Sequence, residues 1–306
     1  MINLSLILAL CSQWIVAPDA LRDKSVHIFR NQELRKSHYP LISGETFRSA
    51  AKFIFDETQI PFDPYAVNDG DTIFVAMTHL NYFLEKVMPH IPARFILITS
   101  NGSGTIDQNY LHILEEERLI GWYGRNMTLL HQKAHLIPLG VCWNNNLRDT
   151  SYLKQLNTSF NNLKITDFFK EKPIHTYLNI LQSSHPYREK IFDYFSTQKF
   201  CQVERFRKCF KEYLSDLSRS RFVISPRGVN LDCYRTWEAL YAGSIPVVES
   251  CGIDGLYEDL PVIVVDNLTQ VTEECLDATF EKMKSRSYDL SKLHADYWLF
   301  HMNFFD

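Results

Sequence analysis

The sequence predicts an α/β protein built from two units, each a parallel sheet covered by helices on both faces. Three observations carry this expectation. Short apolar runs alternate with amphipathic helical stretches along the chain, the pattern of β-α units. The runs are nearly continuous in Val, Ile, Leu and Phe, as strands are when both sheet faces are buried. A polar stretch from Asn144 to Lys172 divides them into two groups, in a chain of 306 residues that is long for one core and comfortable for two.

In chain order the expected strands are Thr72–Ala76, Arg94–Thr99, Leu119–Tyr123, His135–Leu139, His175–Ile180, Phe222–Ser225, Ile245–Val248 and Val262–Val265. Helical spacing of apolar residues falls near Thr46–Asp56, Asn81–Met88, Gln108–Glu117, Tyr187–Ser196, Glu204–Leu217, Cys233–Ala242 and Val271–Ser285. The division places a first domain at 1–165 and a second at 166–306. An aromatic-rich last helix, about 288–304, is expected to pack back on the first.

Hydrophobic residues make up 45% of the chain and charged residues 22%, a globular balance. A formal charge of -4 without a basic run argues against a nucleic-acid partner. Met1–Ala17 is mostly apolar and lacks Lys and Arg. It reads either as a signal or short membrane anchor, placing the protein in the endoplasmic reticulum or Golgi, or as a buried first element of a cytoplasmic protein. Seven cysteines contain no C-x-x-C pair, so a zinc ribbon is not expected. Removing Cys11 with a signal leaves six, which permits disulfides without specifying them. Sequons at Asn3, Asn101, Asn126, Asn157 and Asn267 favour a secretory route only weakly.

The segment richest in chemistry runs from Arg221 to Glu249 and reads as strand, loop, helix, turn, strand. A strand through Ile224 ends at Ser225-Pro226, and Gly228 lets loop amides approach a ligand. Asp232 is placed to cap a helix from Cys233 to about Ala242, and Gly243 suits the turn that follows it. Ligands of open α/β sheets bind beyond the carboxyl ends of strands, and a helix N-terminus favours an anion. Arg227 in the loop and Arg235 in the first turn oppose that dipole, and a bound diphosphate would account for both. Glu238 lies on the same face as Arg235, at a depth that suits ribose hydroxyls. An ordinary ion pair between the two is the plainer reading.

The ordered string Ser220, Phe222, Pro226, Gly228, Asp232, Arg235, Trp237, Glu238, Ala239, Leu240, Gly243, Ile245, Pro246 and Val247 resembles the donor-binding segment of the exostosin-like glycosyltransferases, family 47. Upstream, His175–Leu181 and His185-Pro-Tyr-Arg188 are similar to the first strand and phosphate-side loop of that domain. Phe95–Gly102 and Trp122–Val141 resemble, more loosely, acceptor-domain strands of this and fucosyltransferase-like families. The resemblance implies a GT-B architecture, two Rossmann-like domains with parallel sheets facing across a cleft. It implies inverting transfer of a sugar from a nucleoside diphosphate, usually a UDP-sugar, to a glycan or glycoprotein hydroxyl. Carried over, Glu238 would hold the ribose, Arg188, Ser225, Gly228 and Arg235 would surround the diphosphate, and Asp232 would shape the loop. A fucosyltransferase-like enzyme using GDP-fucose and a non-catalytic glycan- or nucleotide-sugar-binding protein are the alternatives.

Inverting transfer needs a base for the acceptor hydroxyl and positive charge for the leaving group. Arg235 and the helix terminus are expected to supply that charge with no metal or other cofactor. His79, Asp107 and Glu249 are the candidate bases. Each has a plainer use: a cap for His79, an N-cap for Asp107, a solvated loop for Glu249. Asn101–Gly104 is expected to be a flexible loop bordering the cleft, and Trp122, Tyr123 and Trp143 to be core or acceptor-stacking residues.

Overall fold

The computed structural model describes residues 37–141, 154, 157–158 and 160–302. Two five-stranded parallel sheets organise the chain, the two-sheet Rossmann-like arrangement expected of a GT-B fold. The first contains β1 (Phe53–Phe55), β2 (Asp71–Ala76), β3 (Phe95–Ser100), β4 (Leu119–Arg125) and β5 (Ala134–Ile137), in that spatial order. The second contains β6 (Ile174–Asn179), β7 (Cys201–Glu204), β8 (Ser220–Ile224), β9 (Ile245–Glu249) and β10 (Ile263–Val265), ordered β10-β9-β8-β6-β7. The central strands are buried almost throughout, as their unbroken apolar sequences require.

Helices α1 (Gly44–Ala50), α2 (Leu80–Tyr82, continued by a π turn over Phe83–Val87), α3 (Leu111–Leu114), α4 (Tyr187–Ser196), α5 (Phe210–Arg219), α6 (Tyr234–Tyr241), α7 (Glu273–Met283) and α8 (Ala295–His301) complete the α/β units. Two expected helices are shorter because strands claim their ends. The helix expected over Thr46–Asp56 stops at Ala50, Ala51 turns extended, and Phe53–Phe55 pairs with Ile73–Val75 as an edge strand. The helix expected from Glu204 starts at Phe210, since Cys201–Glu204 pairs with Thr176–Asn179. Both runs are too short for periodicity to separate strand from helix. The last helix also begins later, at Ala295, after a 3-10 turn over Leu290–Leu293.

The carboxyl ends of strands from the two sheets meet. Asn126, just beyond β4, accepts the Asp232 amide at 3.1 Å. The Leu139 amide, beyond β5, donates to Asp232 Oδ2 at 2.8 Å, and the Gly104 amide, beyond β3, donates to Asn230 Oδ1 at 3.2 Å. At the far end of α6, the Tyr241 hydroxyl accepts the Ile42 amide at 3.0 Å and donates to the Leu293 carbonyl at 2.7 Å. α8 lies against this junction, with Ala295 N bonded to Pro40 O and Tyr123 Oη to His301 O. One apolar cluster includes Ile42, Phe47 and Phe74 beside Trp237, Tyr241 and Leu299.

Two substitutions probe this junction. Gly140 has φ +68°, and a Cβ there would sit 2.0 Å from the Ile42 carbonyl oxygen. Gly140→Ala is expected to lower stability by more than about 2 kcal/mol in urea unfolding. Asp232→Ala strands the Leu139 and Cys233 amides and the Trp237 indole N–H, a loss of about 3–5 kcal/mol. Asp232→Asn, which keeps one accepting oxygen, should lose less in the same measurement.

Candidate active site

The segment singled out in the sequence folds as β8, loop, α6 and β9. β8 lies between β6 and β9, so its exit loop opens at the middle of the sheet's carboxyl edge. Gly243 follows α6 with φ +72°, the left-handed turn residue its position called for. At the other end the structure corrects the expected cap. Cys233 is the N-cap, extended at φ -128° and making no side-chain cap bond. Asp232 instead turns its carboxylate inward. It accepts the Cys233 amide at 2.8 Å, the Trp237 indole at 2.9 and 3.0 Å and the Tyr257 hydroxyl at 3.3 Å, besides Leu139 N. Only 2% of Asp232 is exposed. Burial raises its pKa, against the opposing effects of these bonds and the Arg125 charge.

Other residues expected around a diphosphate also prove to hold the loop. Ser225 is buried, its hydroxyl 2.9 Å from that of Thr236. Arg188, in the first turn of α4, donates from Nε to Arg227 O and from Nη2 to Pro226 O, both at 2.9 Å, and from Nη1 to Leu181 O at 3.3 Å. A Cβ on Gly228 would come 3.1 Å from Arg188 Nη2. Glycine here therefore lets the loop lie on the guanidinium. Burial, then the neighbouring Arg235 charge, lowers the Arg188 pKa.

Arg235 and Glu238 occupy different surroundings. Arg235 is half-buried in the first turn of α6, and its buried Nε has no hydrogen-bond partner. Its charge acts on Arg188, Tyr177, Tyr213 and Cys233. Glu238 is 3% exposed and accepts the Tyr213 hydroxyl, from α5, at 3.0 Å. Burial, followed by this carboxylate, holds the Tyr213 pKa well above its usual value. No direct Arg235–Glu238 ion pair forms among the described residues, unlike the plainer reading of their spacing. Arg227 projects into solvent.

His79, in a 3-10 turn beyond β2, is half-buried, with Nδ1 2.9 Å from Thr78 Oγ1 and no cap bond to the next helix. Burial lowers its pKa, favouring the neutral imidazole. Asp107 caps the 3-10 turn Gln108–Tyr110 by accepting the Asn109 amide at 3.1 Å. Glu249 is not a solvated loop residue: it accepts the Tyr187 hydroxyl at 2.5 Å. The Asn101–Gly104 loop, expected to be flexible, is pinned. Asn101 Nδ2 donates to Glu45 at 2.9 Å, Gly102 O accepts Arg125, and Gly104 N meets Asn230. Trp122 is core, donating to Thr99 Oγ1. Tyr123 stacks on His135 at 4.5 Å. Trp143 and Met1–Ala17 lie outside the described residues.

Arg125, Asn126, Tyr213 and Asn230 emerge here as site-bordering residues that sequence reading did not select. Arg125 is 1% exposed, binds the Gly102 carbonyl and leaves Nε unpartnered. A lone Arg at a strand end carries no distinguishing spacing. Among the described residues Cys201, Cys209, Cys233, Cys251 and Cys275 are free thiols, and no helix is long and apolar enough to cross a membrane. Two surface hollows lie elsewhere, one of about 610 Å³ at Tyr39, Asp296 and Phe300, another of about 680 Å³ at Phe192, Cys201 and Arg205.

Comparison with known proteins matches residues 152–265 to the model of the RXYLT1 C-terminal domain. Human ribitol-5-phosphate xylosyltransferase 1 is 32% identical over 79 residues, which cover 24% of this chain and 18% of that protein. The match falls on the half that holds β6–β10 and α6, where the Arg235 and Glu238 environments are built. That half is thus similar to the C-terminal domain of a xylosyltransferase, and the chain spans less than a fifth of that relative's length in the match.

Proposed function

We propose that the chain transfers a sugar, with inversion, from a nucleoside diphosphate donor to a hydroxyl of a glycan or glycoprotein. The observation that carries this reading is the buried, unpartnered Nε of Arg235 at the N-terminal turn of α6. A guanidinium nitrogen kept dry without an acceptor is costly, and an anion seated at the helix terminus would satisfy it. Glu238, three residues further and held by Tyr213, is placed to accept hydrogen bonds from the ribose. Arg188, Ser225, Pro226 and Gly228 shape the loop that receives the diphosphate, and Arg227 stands at its rim.

In this reaction the acceptor oxygen forms a bond to the anomeric carbon as the bond from that carbon to the diphosphate oxygen breaks. The acceptor proton passes to a base, for which neutral His79 is preferred over Asp107, whose carboxylate is occupied as a cap. Arg235 and the α6 amides take the charge developing on the diphosphate. No metal is required in this scheme. A UDP-sugar is the proposed donor, and the name of the human relative makes xylose the first sugar to test and a ribitol phosphate the first acceptor. The secretory lumen is the proposed setting.

Donor hydrolysis and transfer with UDP-xylose and a panel of UDP- and GDP-sugars test the reading. Arg235→Ala is expected to lower turnover about 100- to 1000-fold with an unchanged melting curve. Glu238→Gln should chiefly raise the donor KM, and chelator should leave the rate intact. An Arg235→Ala variant that binds donor and turns over like the parent would remove the proposal.

A further inference from the structure

The hollow of about 610 Å³ beside α8 is lined from two stretches far apart in sequence. Tyr39 comes from the segment before α1, and His294, Asp296, Tyr297, Phe300 and His301 come from α8 and its N-cap. Backbone bonds clamp the two stretches together. Leu41 bridges to His294, and Ala295 N donates to Pro40 O at 3.0 Å. The Tyr39 hydroxyl adds a bond to Asp296 Oδ2 at 3.0 Å. Tyr241, the last residue of α6, donates to the carbonyl of Leu293 next to this hollow. Arg235 lies at the other end of that helix, about 9 Å along its axis.

The walls are aromatic and meet at steep angles. The rings of Phe300 and His301 stand at 84°, and Tyr297 packs on His301 with centroids 4.5 Å apart. Tyr39 is 56% exposed and Phe300 66%, so ring area faces water in a place already formed for a ligand. The charge around these rings is negative. Asp296 lies in the lining, and after burial the charges of Asp289, Asp259 and Glu258 raise the Tyr297 pKa. Lys292 opposes them, but its ammonium donates to the Glu258 carbonyl at 2.5 Å and lies 3.8 Å from Asp259. Four carboxylates against one ammonium leave a net negative field.

Ring faces and carboxylates both attract a cation, so the two features of the hollow act in the same direction. An anionic membrane surface, or the phosphate of a choline headgroup, is repelled by the same carboxylates. We propose that this hollow docks a basic segment of a protein partner, seating one lysine or arginine side chain between the aromatic walls and the Asp296 carboxylate.

Calorimetric titration of the full chain with a Lys-Arg-Lys tripeptide amide tests it, beside a Glu-Gln-Glu counterpart and phosphatidylcholine vesicles. The basic peptide is expected to bind and the other two are not. Phe300→Ala should weaken it about three- to thirtyfold with an unchanged melting temperature, and Phe300→Tyr should bind like the parent. Asp296→Asn should weaken it and flatten its dependence on salt. A parent chain that ignores the basic peptide, or binds the acidic one equally, overturns the proposal. So does a Phe300→Ala variant that binds like the parent, since the peptide then sits elsewhere on the surface. Vesicle binding that disappears in Phe300→Ala, without peptide binding, would assign the hollow to lipid instead.

Discussion

The structure depends on one buried carboxylate. Asp232 lies where the exit of β8, the start of α6 and the end of β5 converge, and gathers donors from each. A carboxylate removed from water is tolerated only when its lone pairs are filled. Four neighbouring groups fill them here, and Arg125 lies close enough to favour the charge. The orientation of α6 follows from this arrangement. Trp237, one turn into the helix, cannot leave Asp232 without stranding both partners. The Leu139 amide fixes the same carboxylate to the first sheet.

Residues that stand together in the 188–238 stretch therefore divide into two kinds. Arg188, Ser225, Gly228 and Asp232 spend their polar atoms or their smallness on the loop and the groups packed around it. Arg235 leaves a polar nitrogen unspent, and Glu238 is kept in place by a tyrosine from the neighbouring helix. Proximity to a loop in sequence is a poor guide to which kind a residue is. Arg188 and Arg235 carry the same charge, yet one spends its Nε on the Arg227 carbonyl and the other leaves its Nε without a hydrogen bond.

Much of the architecture was legible in the chain. Eight apolar runs, from Thr72 to Val265, lie in strands because burial of both faces leaves a continuous hydrophobic signature. α4 matches its expected span because one face is cleanly apolar, and Gly243 marks the end of α6 because its φ is positive. β1 and β7 were hidden because β1 lies inside a run read as one helix and β7, with its polar Gln202 and Glu204, lacks a continuous apolar run. The cap assignment of Asp232 failed for a different reason. Local sequence offers its carboxylate the helix amides, and only the folded chain brings the competing Leu139, Trp237 and Tyr257 donors. Arg125 and Tyr213 were out of reach for the same cause.

Tyr241 gives the junction a further property. Its hydroxyl ties the last turn of α6 to Ile42 on one side and to Leu293 on the other, while its ring joins an apolar cluster drawn from both halves. Cutting the polypeptide between the sheets would leave two sticky faces instead of two independent modules. Swapping the half that carries the first sheet for that of a relative would thus demand a matching replacement for Ile42 and its surroundings, so foreign sequence is more readily grafted onto the loops than onto whole halves.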